Sequence, residues 1–256
     1  MPYAQLPGER IFYAEHRPQE TEEELPVVIC IHGAGGSHLS WPPELRRLAG
    51  ARVLVLDLPG HGRSTGAGRQ TIDEYVALLL AFIDSLQLSP AIIMGHSMGG
   101  AIAQQMTLAH PDRVRGLVLL GSGARLRVAP AILQGILDDF ESAIEIICEW
   151  AYGPDTPDDL TLSGRQMMAQ TSPQVMHGDF LACDTFDIMP RLNEIDAPTL
   201  VITGSADRLT PPKYANTLAE NIPAAKLVLV ENAGHMVMLE RPQEVASAVA
   251  RFLSSL

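Results

Sequence analysis

The chain has 256 residues, 46% of them hydrophobic, and carries 18 Lys and Arg against 30 Asp and Glu, for a net charge of −12 at pH 7. That apolar content excludes global disorder and supports one large α/β domain or two smaller ones. The acidic balance argues against a nucleic-acid partner, which needs clustered Lys and Arg, and against anionic membrane surfaces.

Cysteine usage points the same way. Cys30, Cys148 and Cys183 are odd in number and far apart, with no CxxC pair. The expectation is no disulfide framework and no structural zinc, in a reducing compartment. Residues 1–10 lack a basic segment followed by an apolar one, and the longest apolar run, 76–83, is too short to span a bilayer. A cytoplasmic protein, monomer or homodimer, is expected.

Residues 3–6 and 10–15 flank Pro7-Gly8 and predict an antiparallel hairpin at a sheet edge. From residue 26 onward, apolar runs at 26–31, 52–56, 90–94, 116–120, 198–203 and 225–230 read as strands buried on both faces. Helical patterns at 71–86, 98–109, 212–220 and 242–253 alternate with them. Thr71 and Glu74 form a capping-box pattern, and Pro211-Pro212 open a later helix. Such alternation predicts an α/β fold: a mostly parallel central sheet with helices on both faces. After the sixth strand, about seventy-five residues lack a strand signal, far more than an ordinary connection. A helix over 131–150 is predicted there, with Ile132, Ile136, Phe140, Ile144 and Ile147 near one face. Residues 124–190 are read as a helical insertion on a core made of 1–123 and 191–256.

Open α/β sheets bind ligands beyond the carboxyl ends of their strands. After the strand at 90–94 comes Gly95-His96-Ser97-Met98-Gly99-Gly100 and then a helix, a G-x-S-x-G in the setting of a nucleophile elbow. A serine nucleophile needs a base, and the base an orienting acid. His235 follows the last strand and Asp207 the strand at 198–203, giving the chain order Ser97, Asp207, His235. Each has a plainer reading, as a helix cap for Ser97, a cap of the next helix for Asp207 and a solvated loop residue for His235. Asp57 also follows a strand but precedes the serine, and is read as holding a turn through backbone N–H groups. Acyl transfer also needs donors for an oxyanion. The backbone N–H of Met98 is one candidate. That of Ala34, in His32-Gly33-Ala34-Gly35-Gly36-Ser37, is the other.

These pieces, with Asp57-Leu58-Pro59-Gly60-His61-Gly62-Arg63-Ser64, Gly204-Ser205-Ala206-Asp207-Arg208 and Ala233-Gly234-His235, resemble the α/β-hydrolase fold superfamily, in particular its small cofactor-free serine esterases. The resemblance implies a Ser97–Asp207–His235 triad, an Ala34/Met98 oxyanion hole and a helical cap. No metal or cofactor is implied. Dehalogenase and epoxide-hydrolase relatives carry Asp in place of Ser97, C–C bond hydrolases usually carry a Gly-Gly-x-Pro-Gly loop, and prolyl aminopeptidases usually a Trp in place of Met98. The leading expectation is a hydrolase of small, neutral, fairly apolar esters. A lactonase, C–C bond hydrolase or perhydrolase on the same triad, or a hydrolase-like receptor, is the alternative.

Pocket candidates are Gly33, Gly35, Leu39, Trp41, His96, Met167, Met168 and Met236, with Met176 and Met189 as further cap methionines, although core packing explains such methionines as well. Residues 124–197 hold 4 Arg and 13 Asp or Glu, so 4 − 13 = −9. An acidic rim is therefore expected to repel anionic substrates. Methyl esterases acting on acyl-carrier proteins, which are acidic, are then expected to be poor functional models.

Overall fold

The computed structural model describes residues 2–18 and 25–256. Met1, part of the N-terminal reading above, lies outside them. Eight strands form one sheet: β1 (Tyr3–Leu6), β2 (Glu9–His16), β3 (Val27–Ile31), β4 (Arg52–Leu56), β5 (Ala91–His96), β6 (Val114–Leu120), β7 (Thr199–Gly204) and β8 (Lys226–Val230). Their spatial order is β1-β2-β4-β3-β5-β6-β7-β8. The first two pair as the predicted hairpin, with Tyr3 opposite Phe12, and β2 runs antiparallel to β4, with Ala14 opposite Val55. All remaining pairings are parallel, as in Ile29 beside Leu54 and Ile93, or Leu120 beside Ile202.

The apolar runs divide by the period of two that a strand imposes. Ile29, Ile31, Leu54, Leu56, Ile93 and Leu117 face one buried layer, and Val28, Cys30, Val53, Val55, Ile92 and Val118 the other. Helices α1 (Pro43–Arg46), α2 (Ile72–Ser85) and α3 (Met98–Ala109) follow the first strands in turn. Thr71 Oγ1 accepts from Glu74 N at 3.2 Å while Glu74 Oε2 accepts from Thr71 N at 3.0 Å, the reciprocal cap that opens α2.

Between β6 and β7 lie α4 (Pro130–Asp138), α5 (Phe140–Ala151), α6 (Asp158–Met168) and α7 (Pro173–Thr185). The single helix predicted over 131–150 is two. Asp139 breaks it: its backbone N–H still closes α4 onto Gly135, and its carboxylate caps α5 through Ser142 N at 3.2 Å. The predicted apolar face survives the break, since Ile136, Ile144 and Ile147 share a buried cluster against which Ile132 and Phe140 pack. Toward the end of α7, Ala182 and Cys183 join the main core. The chain closes with α8 (Pro212–Asn221), α9 (Val237–Glu240) and α10 (Pro242–Leu253). Among the described residues no helix is long and apolar enough to cross a membrane.

Candidate active site

Every parallel strand of the sheet delivers its carboxyl end to one edge, and the chemistry-bearing loops meet there. Ser97 joins β5 to α3 with φ +53° and ψ −116°, a conformation that costs an L-residue about 1–3 kcal/mol. The surroundings fix it. Ser97 N donates to Leu120 O at 2.9 Å, and Ser97 O accepts from Gly100 N and Ser122 Oγ, each at 2.9 Å. A Cβ on Gly99 would run into the carbonyl of Ile31, so the turn can be this sharp only with glycine there.

His235, on the loop after β8, turns its Nδ1 to Asp207 Oδ2 at 2.9 Å. Both are almost fully buried. Thr210 Oγ1 lies between them, 2.8 Å from the same Asp207 oxygen and 3.1 Å from the ring nitrogen. A carboxylate can only accept, so Nδ1 carries a proton, and Nε2 is the nitrogen left to exchange one with a substrate. Asp207 Oδ1 also accepts from Leu209 N at 2.9 Å and Thr210 N at 2.8 Å. Burial alone would raise the Asp207 pKa. The charge and hydrogen bond of His235, with the Thr210 donors, outweigh it and hold the carboxyl below its ordinary value. The cap reading of Asp207 is thus half right: the carboxylate stitches its own loop, but α8 has Pro211 at its N-cap.

His235 is also anchored through its backbone. His235 N and Met236 N donate to Ala151 O at the end of α5, at 2.8 and 3.1 Å. The buried Glu240 accepts from Gly234 N at 3.0 Å, from Gly153 N at 2.9 Å and from Thr156 Oγ1 at 2.6 Å. His96 Nε2 donates to His235 O at 3.0 Å, and burial drives the His96 pKa down to about 3, so this ring stays neutral. Among the described residues the Ser97 hydroxyl has no hydrogen-bond partner.

The loop after β3 closes the other side. Gly33 packs so tightly on the serine that a Cβ would sit 3.0 Å from Ser97 Cβ. His32 Nδ1 donates to Gly33 O at 2.8 Å and Nε2 accepts from Leu58 N at 3.0 Å, a neutral ring whose burial pulls its pKa down to about 4. Asp57 accepts from His38 N at 2.5 Å and Arg63 N at 2.8 Å, the turn-holding role expected of it. Neither Ala34 N nor Met98 N reaches a protein acceptor among the described residues. Two unpaired backbone donors therefore flank the serine.

A cavity of about 230 Å³ opens over this constellation, with Ser97 and His235 in its wall beside Ala34. Of the predicted pocket residues, Gly33, His96, Met167, Met168 and Met236 line it. Gly35, Leu39 and Trp41 do not. Gly35 packs under Met176 of the cap, Leu39 is 54% exposed, and Trp41 is wholly buried in the core layer with Val28 and Val55. Met176 is core and Met189 is surface. Most of the remaining wall comes from cap residues that the sequence reading did not single out as pocket residues, including Ile132, Ile147, Tyr152 and Phe180. Helical periodicity identified the apolar face of 131–150, but not that Ile132 and Ile147 at its two ends would line the cavity with Ser97.

The expected acidic charge does not reach the cavity wall itself. No Asp or Glu lines the cavity, whereas Arg127 and Arg208 do, and each of these faces a carboxylate, Arg127 that of Asp187 at 3.8 Å and Arg208 that of Glu149 at 3.7 Å. Glu141, Glu145, Asp155, Asp158 and Asp159 of the insertion are exposed to solvent. An amphipathic helix turns its apolar stripe inward, and in this insertion inward means toward the cavity.

The alpha/beta hydrolase family model matches residues 28–248. The chain is 29% identical over 246 residues to the pimeloyl-[acyl-carrier protein] methyl ester esterase of Salmonella newport, covering 90% of this chain and 94% of that one. A solved thermophilic esterase is 31% identical with a TM-score of 0.87, covering 99% and 97%. The enol-lactonase of Burkholderia xenovorans is 25% identical with a TM-score of 0.91, covering 99% and 100%. With the family model spanning most of the chain, from β3 into the last helix, this chain belongs to the alpha/beta hydrolase family.

Proposed function

We propose that this chain hydrolyses carboxylic esters through a covalent acyl-enzyme, with Ser97 as nucleophile, His235 as general base and Asp207 as the acid that orients it. The observation that carries the reading is the buried Asp207–His235 pair facing the same cavity as a strained serine between two unpaired backbone N–H groups. Ser97 Oγ attacks the ester carbonyl as His235 Nε2 takes its proton. The carbonyl oxygen becomes an oxyanion held by Ala34 N–H and Met98 N–H. His235 then returns the proton to the departing alcohol, and water, activated by the same nitrogen, releases the acid. Residues 124–190 act as the cap that encloses the acyl group. Similarity to esterases supports the activity.

The substrate is a small ester whose buried part is fairly apolar, since the wall is mostly aliphatic, aromatic and thioether. A neutral group suits that wall. Arg127 and Arg208, each paired with a carboxylate, put positive charge into the wall beside the insertion's acidic surface, which supports keeping the methyl esterase relatives among the models. Lactones are cyclic esters open to the same attack, and similarity to the enol-lactonase supports including them. The buried free thiols of Cys30, Cys148 and Cys183 support a reducing, cytoplasmic setting.

The test is a panel of p-nitrophenyl esters, lactones and a peracid assay on purified protein. Many turnovers of a short-chain ester are expected. Reaction that stops after one equivalent would favour a receptor, and preference for peracid formation would move the chain to the perhydrolases.

A further inference from the structure

The oxyanion loop is held from above, by the cap. Asp179 lies in α7 and is completely buried, far from the triad in sequence. One of its oxygens accepts from Gly35 N at 2.9 Å and from His61 Nε2 at 2.8 Å; the other accepts from Tyr75 OH at 2.5 Å. His61 Nδ1 meets Pro59 O at 3.0 Å, so both ring nitrogens face acceptors and the ring holds both protons. Thr171 Oγ1, just before α7, donates to Gly35 O at 3.3 Å.

Gly35 is therefore tied at both its N–H and its carbonyl to the cap. It is also the residue next to Ala34, whose N–H is unpaired and borders the cavity. With φ +64°, Gly35 takes a backbone shape that glycine adopts freely, and a Cβ there would lie 2.7 Å from Met176 Cε of α7. The same helix seats its own backbone on the core. A Cβ on Gly178 would meet Arg69 O at 2.7 Å, and one on Gly60 would meet Val175 at 2.8 Å. Along this helix the cap is built into the core.

We propose that Asp179 is a positioning residue for ester hydrolysis: from the cap it fixes the Ala34–Gly35 peptide so that the Ala34 N–H stays free and aimed at the oxyanion. A buried carboxylate with a charged histidine partner is a costly way to hold a helix that already packs through Met176 and Val175. What it adds is direction, because a carboxylate oxygen accepting from Gly35 N sets the orientation of the peptide beside the donor. Preorganised donors are effective because they need no reorientation during reaction. His61 and Tyr75 hold the carboxylate in place from the core side.

The inference rests on the esterase reading with Ala34 as a donor, and its test separates the two. Steady-state kinetics on p-nitrophenyl butyrate and inhibition by phenylboronic acid, whose serine adduct is tetrahedral, are measured for the parent, Asp179→Asn and Thr171→Val, with thermal unfolding of each. Asp179→Asn is expected to lower kcat by about tenfold to a hundredfold and to weaken boronate binding by a similar factor, with KM changed less than about threefold. Thr171→Val, a milder change, is expected to lower kcat and boronate affinity together by about threefold. A folded Asp179→Asn with the parent's kcat and boronate affinity, or one changed in KM alone, overturns the proposal. If Asp179→Asn does not fold, unchanged values for Thr171→Val do so. A parent with neither ester turnover nor boronate binding overturns the esterase reading and this inference with it.

Discussion

Asp207 Oδ2 stands 2.9 Å from His235 Nδ1, and Thr210 Oγ1 donates to that same oxygen at 2.8 Å. The carboxylate thus sets the tautomer of the base as well as its angle. Asp207→Asn keeps the shape but offers the ring a donor where it needs an acceptor. The expected loss in kcat is on the order of 10⁴, as in the serine-protease template, with melting temperature little changed. A loss below tenfold would move the orienting role elsewhere, with Asp57 the first residue to examine.

Ser97 is held at φ +53°, so replacing it should reveal stored strain. Ser97→Ala removes the nucleophile but keeps a Cβ in the strained turn. Ser97→Gly relieves about 1–3 kcal/mol of strain and gives back about 0.5–1 kcal/mol through the more flexible unfolded chain. The glycine variant should therefore melt at a higher temperature than the alanine variant. Equal or reversed melting temperatures would show that the turn is relaxed.

Two buried groups give stability opposite pH slopes. Asp207 titrates below its ordinary value near 3.8, so its contribution is complete above that value and is lost as pH falls through the folded one. For His61, burial lowers the pKa, but the charge and hydrogen bond of Asp179 overcome that and raise it above its ordinary 6.5. Its contribution is complete below 6.5 and is lost as pH rises through the folded value. Stability should peak in mildly acidic solution and decline on the alkaline side, and His61→Gln should flatten that alkaline decline. Melting curves across pH check this, and a parent whose melting temperature is constant from pH 6 to 9 would contradict it.

The apolar cavity wall implies a chain-length preference. Burying one methylene contributes about 0.8 kcal/mol, or roughly fourfold in kcat/KM, while room remains. From acetate to butyrate, kcat/KM should rise at about that rate. Ile147 lines the cavity from α5, so Ile147→Phe should lower kcat/KM for hexanoate more than for acetate. An unchanged ratio would place the acyl chain elsewhere.

The sheet was legible because its central strands are apolar runs, so the predicted and observed ends differ by two residues at most, as at β5 and β6. Only the expected burial of 225–230 on both faces fails, because β8 is the edge of the sheet and leaves Leu227 and Leu229 exposed. The placement of Ser97, Asp207 and His235 at the carboxyl edge of the sheet was legible because strand ends and chain order are local properties. What could not be read is what depends on contacts between distant segments. Asp179 sits 144 residues from the Gly35 N–H it accepts, and Glu240 lies 87 residues from Gly153. Neither has a local pattern that distinguishes it from an ordinary surface acid. Trp41 was misplaced for a related reason, since nothing in its neighbourhood says whether a loop residue turns to the cavity or into the core. The net charge of 124–197 carries no direction, and only the folded chain shows that its carboxylates stay out of the cavity wall while Glu149 and Asp187 pair with the arginines that line it.

The central claim is that Ser97 is the nucleophile. An alkyl fluorophosphonate tests it most directly, by reaction with the intact protein followed by mass spectrometry of the whole chain and its peptides. One adduct per chain is expected, carried by Ser97 alone, with ester turnover lost in step with labelling and no adduct on Ser97→Ala. An adduct on another residue, or full ester turnover by the alanine variant, would contradict the account.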